Sequence, residues 1–87
     1  MEPKSVIDQL GDLNPDAYLF DNMDSALVGI GYRAHKDPVA VYSQARIFER
    51  LLTDGLSEED AAEYFTGKFI GIWAGENTPV ILFDMTE

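Results

Sequence analysis

Apolar and polar positions change their period several times along the chain. Near the start, Val6, Ile7, Leu10 and Leu13 fall on one face of a helix. Ser5, with Asp8 three positions on, has the spacing of a capping box in which Asp replaces Glu. Gly11 weakens this short helix. Residues 14–25 follow neither helical nor strand spacing and predict an irregular segment, anchored to the core by Tyr18, Leu19 and Phe20. From Ala26 to Arg33 the period becomes two: Ala26, Val28, Ile30 and Tyr32 alternate with Leu27, Gly29, Gly31 and Arg33. That pattern predicts a strand. Pro38 to Tyr42 predicts a second, with proline at its first residue, where a missing N–H is tolerated. The polar connection Ala34-His35-Lys36-Asp37 is short enough to make the pair a hairpin.

The period then returns to that of a helix. A helix opens at Ser43 or Gln44 and ends at Gly55, with Ile47 and Leu51 as its stripe and Phe48 and Leu52 beside them. Gly55 suits the left-handed position that closes a helix. Ser57 caps a second helix, whose first turn carries Glu58, Glu59 and Asp60, where the helix dipole favours carboxylates. Leu56 and Ala61 have the spacing of a hydrophobic staple, and Gly67 is the expected stop. Phe69 to Ala74 alternates again and predicts a third strand, Gly75 to Pro79 a turn, and Val80 to Phe83 a fourth strand. The expected class is α+β: an antiparallel sheet of three to four strands in two hairpins, two helices on one face, and a short N-terminal helix. The periodic faces give a core of Leu27 or Val28, Ile30, Val39, Val41, Ile47, Leu51, Phe65, Ile70, Ile72 and Ile81.

Size limits this plan to one core. For 87 residues and 9.7 kDa, area scaling gives a folded surface of about 5,100 Å² against about 14,000 Å² unfolded, so roughly 64% is buried. The expectation is a single domain over residues 1–87, with residues 1–20 more loosely attached. A hydrophobic fraction of 46% with 11% aromatic residues argues against intrinsic disorder. Charge changes the picture more. Sixteen Asp and Glu against six Lys and Arg leave a net charge of −10. Direct nucleic-acid binding needs clustered cations and is not expected. The absence of cysteine removes disulfides, thiolate metal sites and a thiol nucleophile. The N-terminus lacks the apolar run of a secretory signal, and Val80 to Phe83 is far too short to span a bilayer, so no membrane association and a cytoplasmic location are expected.

Few residues carry candidate chemistry. Gly29-Ile-Gly31 sits in a strand and no helix opens after it, so close approach of a neighbour or a bulge explains it better than a phosphate loop. His35, the sole histidine, lies on a hairpin connection without further His or Cys ligands, and reads as a solvated turn residue. Trp73 and Tyr32 read as core residues, or as interface anchors if exposed. The expectation is a protein without enzymatic activity or cofactor. The candidate partner-binding site is the acidic cluster Asp54, Glu58, Glu59, Asp60 and Glu63; no Lys or Arg lies between residues 51 and 66. Three readings compete for it: a well-capped, solvated helix start, a cation site without the spacing of an EF-hand loop, and a face for a basic partner.

Three separated blocks carry a resemblance. Pro38-Val-Ala-Val-Tyr42, Ser57-Glu-Glu-Asp-Ala-Ala-Glu-Tyr-Phe65 and Ile70-Gly-Ile-Trp-Ala-Gly-Glu-Asn-Thr-Pro79 resemble, in the same order, a family of short bacteriophage and prophage proteins that mostly carry no assigned function. The similarity spans roughly residues 20 to 83. It departs at Ser43 to Arg46, where family members carry aromatic or acidic residues, and it transfers no catalytic residue. What it implies is a phage-like origin and a host cytoplasm. Joined to small size and strong acidity, that origin makes an inhibitor the expected function. Such an inhibitor would bind a basic surface of a host nucleic-acid-handling protein, as anti-CRISPR and other DNA-mimicking proteins do, with carboxylates standing in for phosphates. The alternative is a non-catalytic interaction or structural module unrelated to nucleic acid, for which a homodimer is one arrangement.

Overall fold

The computed structural model describes residues 5–71 and 75–85. Ser5 caps the first helix, α1 (Val6–Leu13), its Oγ accepting from the Asp8 amide at 3.2 Å. Of the apolar stripe, Leu10 is buried, Val6 and Ile7 are half-buried, and Leu13 is exposed. The irregular stretch that follows is tied down by one buried amide side chain. Asn14 Nδ2 donates to the Pro38 carbonyl at 2.8 Å and to Asn77 Oδ1 at 3.0 Å, while its Oδ1 accepts from the Asp16 amide at 3.2 Å. Phe20 continues into the core.

The first hairpin pairs β1 (Leu27–Arg33) antiparallel with β2 (Lys36–Ser43). Ala26 belongs to a short 3₁₀ turn ahead of β1, and β2 starts two residues earlier than expected, which leaves a two-residue connection with His35 at φ +60°. Two register shifts interrupt the ladder. One inserts Val28 on β1, which turns Val28 outward and moves Ile30 onto the core face. The other lies on β2 around Asp37 and Pro38, so proline occupies a bulge rather than the first residue. A Cβ at Gly31 would stand 2.9 Å from Val41 Cγ2, so this glycine admits a cross-strand side chain.

Helices α2 (Gln44–Thr53) and α3 (Glu58–Phe65) form where their caps fall. Ser43 Oγ accepts from the Arg46 amide at 3.2 Å. At the other end of α2, Gly55 takes φ +103°. Its amide donates to the Leu52 carbonyl at 3.0 Å and the Leu56 amide to the Leu51 carbonyl at 3.2 Å, the paired bonds of a Schellman turn.

The expected strand over Phe69 to Ala74 does not begin where the alternation placed it. Thr66–Ile70 forms a wide helical turn, closed by the Gly71 amide on the Thr66 carbonyl at 2.8 Å, and Gly67 does not stop the chain. The physical reason is a helical stripe: Ala61, Phe65 and Phe69, four residues apart, are all buried. The Phe69 ring lies 4.8 Å from Phe20 and 6.1 Å from Phe65. Ile70, expected in the core, is left 54% exposed. Ile72, Trp73 and Ala74 lie outside the described residues.

After a 3₁₀ turn at Gly75–Asn77, β3 (Val80–Leu82) joins the free side of β2 in parallel, pairing Val41 with Val80, Tyr42 with Ile81 and Ser43 with Leu82. The fold is α+β, but the three-stranded sheet, in order β1-β2-β3, is mixed rather than antiparallel. A parallel neighbour needs a long crossover, and residues 44–79, with both helices, supply it. Ala40 and Tyr42 of β2 face a core built with Leu10, Phe20, Met23, Ala26, Ile47, Leu51, Ala61, Phe65 and Phe69. The Tyr42 hydroxyl accepts from the Phe20 amide at 3.0 Å. Burial pushes its phenol above the ordinary range, and that hydrogen bond only partly opposes the shift.

Candidate partner-binding face

The acidic cluster is carried by the turn between α2 and α3 and by α3 itself. Ser57 Oγ accepts from the Asp60 amide at 3.1 Å, and the Schellman turn at Gly55 sets the direction of α3. Ala61 and Phe65 hold one side of α3 in the core, where the Phe48 and Phe65 rings meet at 4.9 Å. With that side fixed, Glu59 and Glu63, one turn apart, occupy the opposite side, and Asp60 flanks them. Glu58, Glu59, Asp60 and Glu63 are all exposed, as is Tyr64 beside them. Among the described residues, none of these four carboxylates is in an ion pair.

Asp54 behaves differently. It closes α2, and Arg50, four residues earlier, meets its Oδ2 at 3.3 Å. The structure thus brings Glu59, Asp60 and Glu63 together on a rigid element, places Glu58 at its first residue, and engages Asp54 within α2. Mutual repulsion between carboxylates one turn apart is small, and the positive end of the α3 dipole offsets part of it. Such an arrangement attracts cationic groups. Among the described residues, no cluster of three or more His, Cys, Asp or Glu is placed to hold a metal ion. Among the same residues, no helix is long and apolar enough to cross a membrane. The chain matches no protein-family model, no curated protein and no solved structure.

Tyr32 is 76% exposed, so it is not a core residue; Trp73 lies outside the described residues. A recess of about 520 Å³, open to solvent, is lined by Ser25, Arg46, Glu49, Arg50 and Thr53 and carries charges of both signs. Sequence reasoning passed over a second polar centre. Ser43 Oγ donates to both carboxylate oxygens of Asp84, at 2.9 and 2.7 Å, and the Ala45 amide donates to Oδ1 at 3.0 Å. The Ala45 N–H, then the Ser43 hydroxyl, hold the Asp84 carboxyl below the ordinary carboxylate range. The sequence placed the start of α2 at Ser43 or Gln44 without assigning Ser43 a cap. The bond from Ser43 to Asp84 spans 41 positions and leaves no local trace.

Proposed function

We propose that this chain is a non-catalytic cytoplasmic binding protein that docks on a basic surface of a host protein through the outward face of α3. The observation that carries the reading is a capped helix whose exposed carboxylates Glu58, Glu59, Asp60 and Glu63 are free of ion pairs among the described residues, in a chain of net charge −10. Carboxylates on a rigid helix keep their spacing without ordering cost at the moment of binding. The target class that fits is a nucleic-acid-handling protein, whose basic channel evolved to hold phosphates. Occupying that channel inhibits it, as an anti-CRISPR or other anti-defence protein of phage origin does.

One observation favours a second reading, an interaction module unrelated to nucleic acid. Val80, Leu82, Phe83 and Met85 are exposed in sequence, the last two at 71% and 90%. A run of exposed apolar side chains of this kind serves an ordinary protein interface or a homodimer. Capture from a nuclease-treated bacterial lysate distinguishes the two. The first reading expects a basic nucleic-acid-binding protein on the wild type and its loss from the Glu59→Lys/Glu63→Lys variant. The second expects capture that survives this change and is lost on replacing Phe83 and Met85 with Ser.

A further inference from the structure

The Phe48 ring that packs on Phe65 of α3 also forms one wall of a small recess, about 140 Å³, at the start of α2. Phe83, Gln44, Ala45 and Asp84 complete it. Three features fix its chemistry. Phe48 is half-buried and Phe83 is 71% exposed, so a packed ring and an accessible one line the same recess. Aromatic faces attract cations through their quadrupole. Asp84 is held in place by the Ser43 hydroxyl, whose one proton is shared between Oδ1 and Oδ2, and by the Ala45 amide on Oδ1. Its own amide also bonds the carboxylate, and all these donors favour the ionised form, so a negative charge stays fixed at the recess. Among the described residues, Arg46 interacts with Asp84 without being within ion-pair distance.

An apolar occupant would bury the Asp84 carboxylate without replacing its water, and an anion would be repelled by it. An aliphatic chain ending in a cation satisfies both the rings and the carboxylate, and the net charge of −10 favours its approach. We propose that this recess seats a lysine or arginine side chain of the partner protein. The proposal rests on the reading that the partner's surface is basic, and adds the place where one of its cations is held. The contact between Phe48 and Phe65 joins the helix that walls this recess to α3.

The test is an NMR titration of the full chain with Nα-acetyl-lysine methylamide and Nα-acetyl-arginine methylamide. The uncharged norleucine analogue and tetramethylammonium serve as comparisons. Saturable shifts at the amides of Ala45, Phe48 and Asp84 are expected, with a dissociation constant in the millimolar range for the lysine or arginine probe. Phe83→Ala, at an exposed position, is expected to keep the wild-type denaturation midpoint and to weaken binding about fivefold. Asp84→Asn is expected to abolish it. Because Asp84 also ties β3 to α2, the Phe83 variant decides the matter if the Asp84 variant does not fold. The Glu59→Lys/Glu63→Lys variant should bind the probes as the wild type does, so a failure of the α3 reading and a failure here are separate results. Absence of saturable binding, equal binding of the norleucine analogue, or an unchanged constant in Phe83→Ala overturns the proposal. So does tighter binding of tetramethylammonium than of either side-chain probe, which would make this a site for small free cations.

Discussion

Two side chains show how single hydrogen bonds govern this small core. Tyr42 is fully buried, and its hydroxyl accepts the Phe20 amide. Tyr42→Phe keeps the ring but leaves that N–H without a partner, and should cost about 1–3 kcal/mol in urea denaturation. The phenol pKa is raised, so its contribution is intact below the ordinary value of 10.0 and is lost as pH rises through the folded value. Tyr42→Phe should remove that alkaline loss. Asp84 has the opposite sign. Its pKa is depressed by the Ala45 N–H and the Ser43 hydroxyl, so its stabilisation is present above the ordinary value of 3.8 and fades as pH falls through the folded value. The difference in denaturation midpoint between wild type and Asp84→Asn should therefore be largest near neutrality and shrink in acid; a pH-independent difference would show that the hydrogen bonds do not favour the ionised form. The caps at Ser5 and Ser57 were legible because their partners lie three residues away. Asn14 was not: its partners stand 24 and 63 positions off, and nothing near it in sequence calls for a buried amide.

At the scale of elements, two glycines with open space around a notional Cβ should respond in opposite directions. Gly11 lies inside α1, where alanine is the better helix former, so Gly11→Ala should stabilise by roughly 0.5–1 kcal/mol. Gly55 sits at φ +103°, where an L side chain is strained, so Gly55→Ala should destabilise by about 1–2 kcal/mol. Equal signs in thermal denaturation would contradict the assignment of one of these backbones. The first hairpin and both long helices were legible because each repeats its period between clear caps or turns. The segment after Phe65 was not, because two periods overlap there. Phe69, Gly71 and Trp73 alternate as a strand does, while Ala61, Phe65 and Phe69 recur as a helix does. Burying Phe69 against Phe20 and Phe65 decides between them, and Phe20 is contributed by a part of the chain that local spacing cannot see. The parallel sense of β3 follows from the same choice, since no residue pattern distinguishes parallel from antiparallel in a three-residue strand.

At the scale of the molecule, charge and surface outweigh the core. The accessible surface is 6142 Å², above the roughly 5,100 Å² expected at this mass. The radius of gyration is 13.5 Å, against about 12 Å for a compact chain of this length. Tyr32, Phe83 and Met85 are apolar side chains on that surface, and many of the other exposed positions are carboxylates. The identity of the acidic residues was legible from composition and spacing, and so was their placement on a helix start. The engagement of Asp54 by Arg50 and the recess between Phe48 and Phe83 depended on packing. Glu59 and Glu63 carry the central claim, because they share the outward side of α3 and their replacement should change folding by no more than about 0.5 kcal/mol. Charges at an interface rim act mainly on the rate of encounter. The most direct measurement is the association rate of the captured partner as a function of ionic strength, for wild type and for Glu59→Lys/Glu63→Lys. If the outward side of α3 meets a basic partner, the wild-type rate falls steeply as salt rises, and the variant associates more slowly at low salt with a flatter dependence. Equal rates at low salt would contradict it, and would leave α3 a solvated helix with a well-capped start.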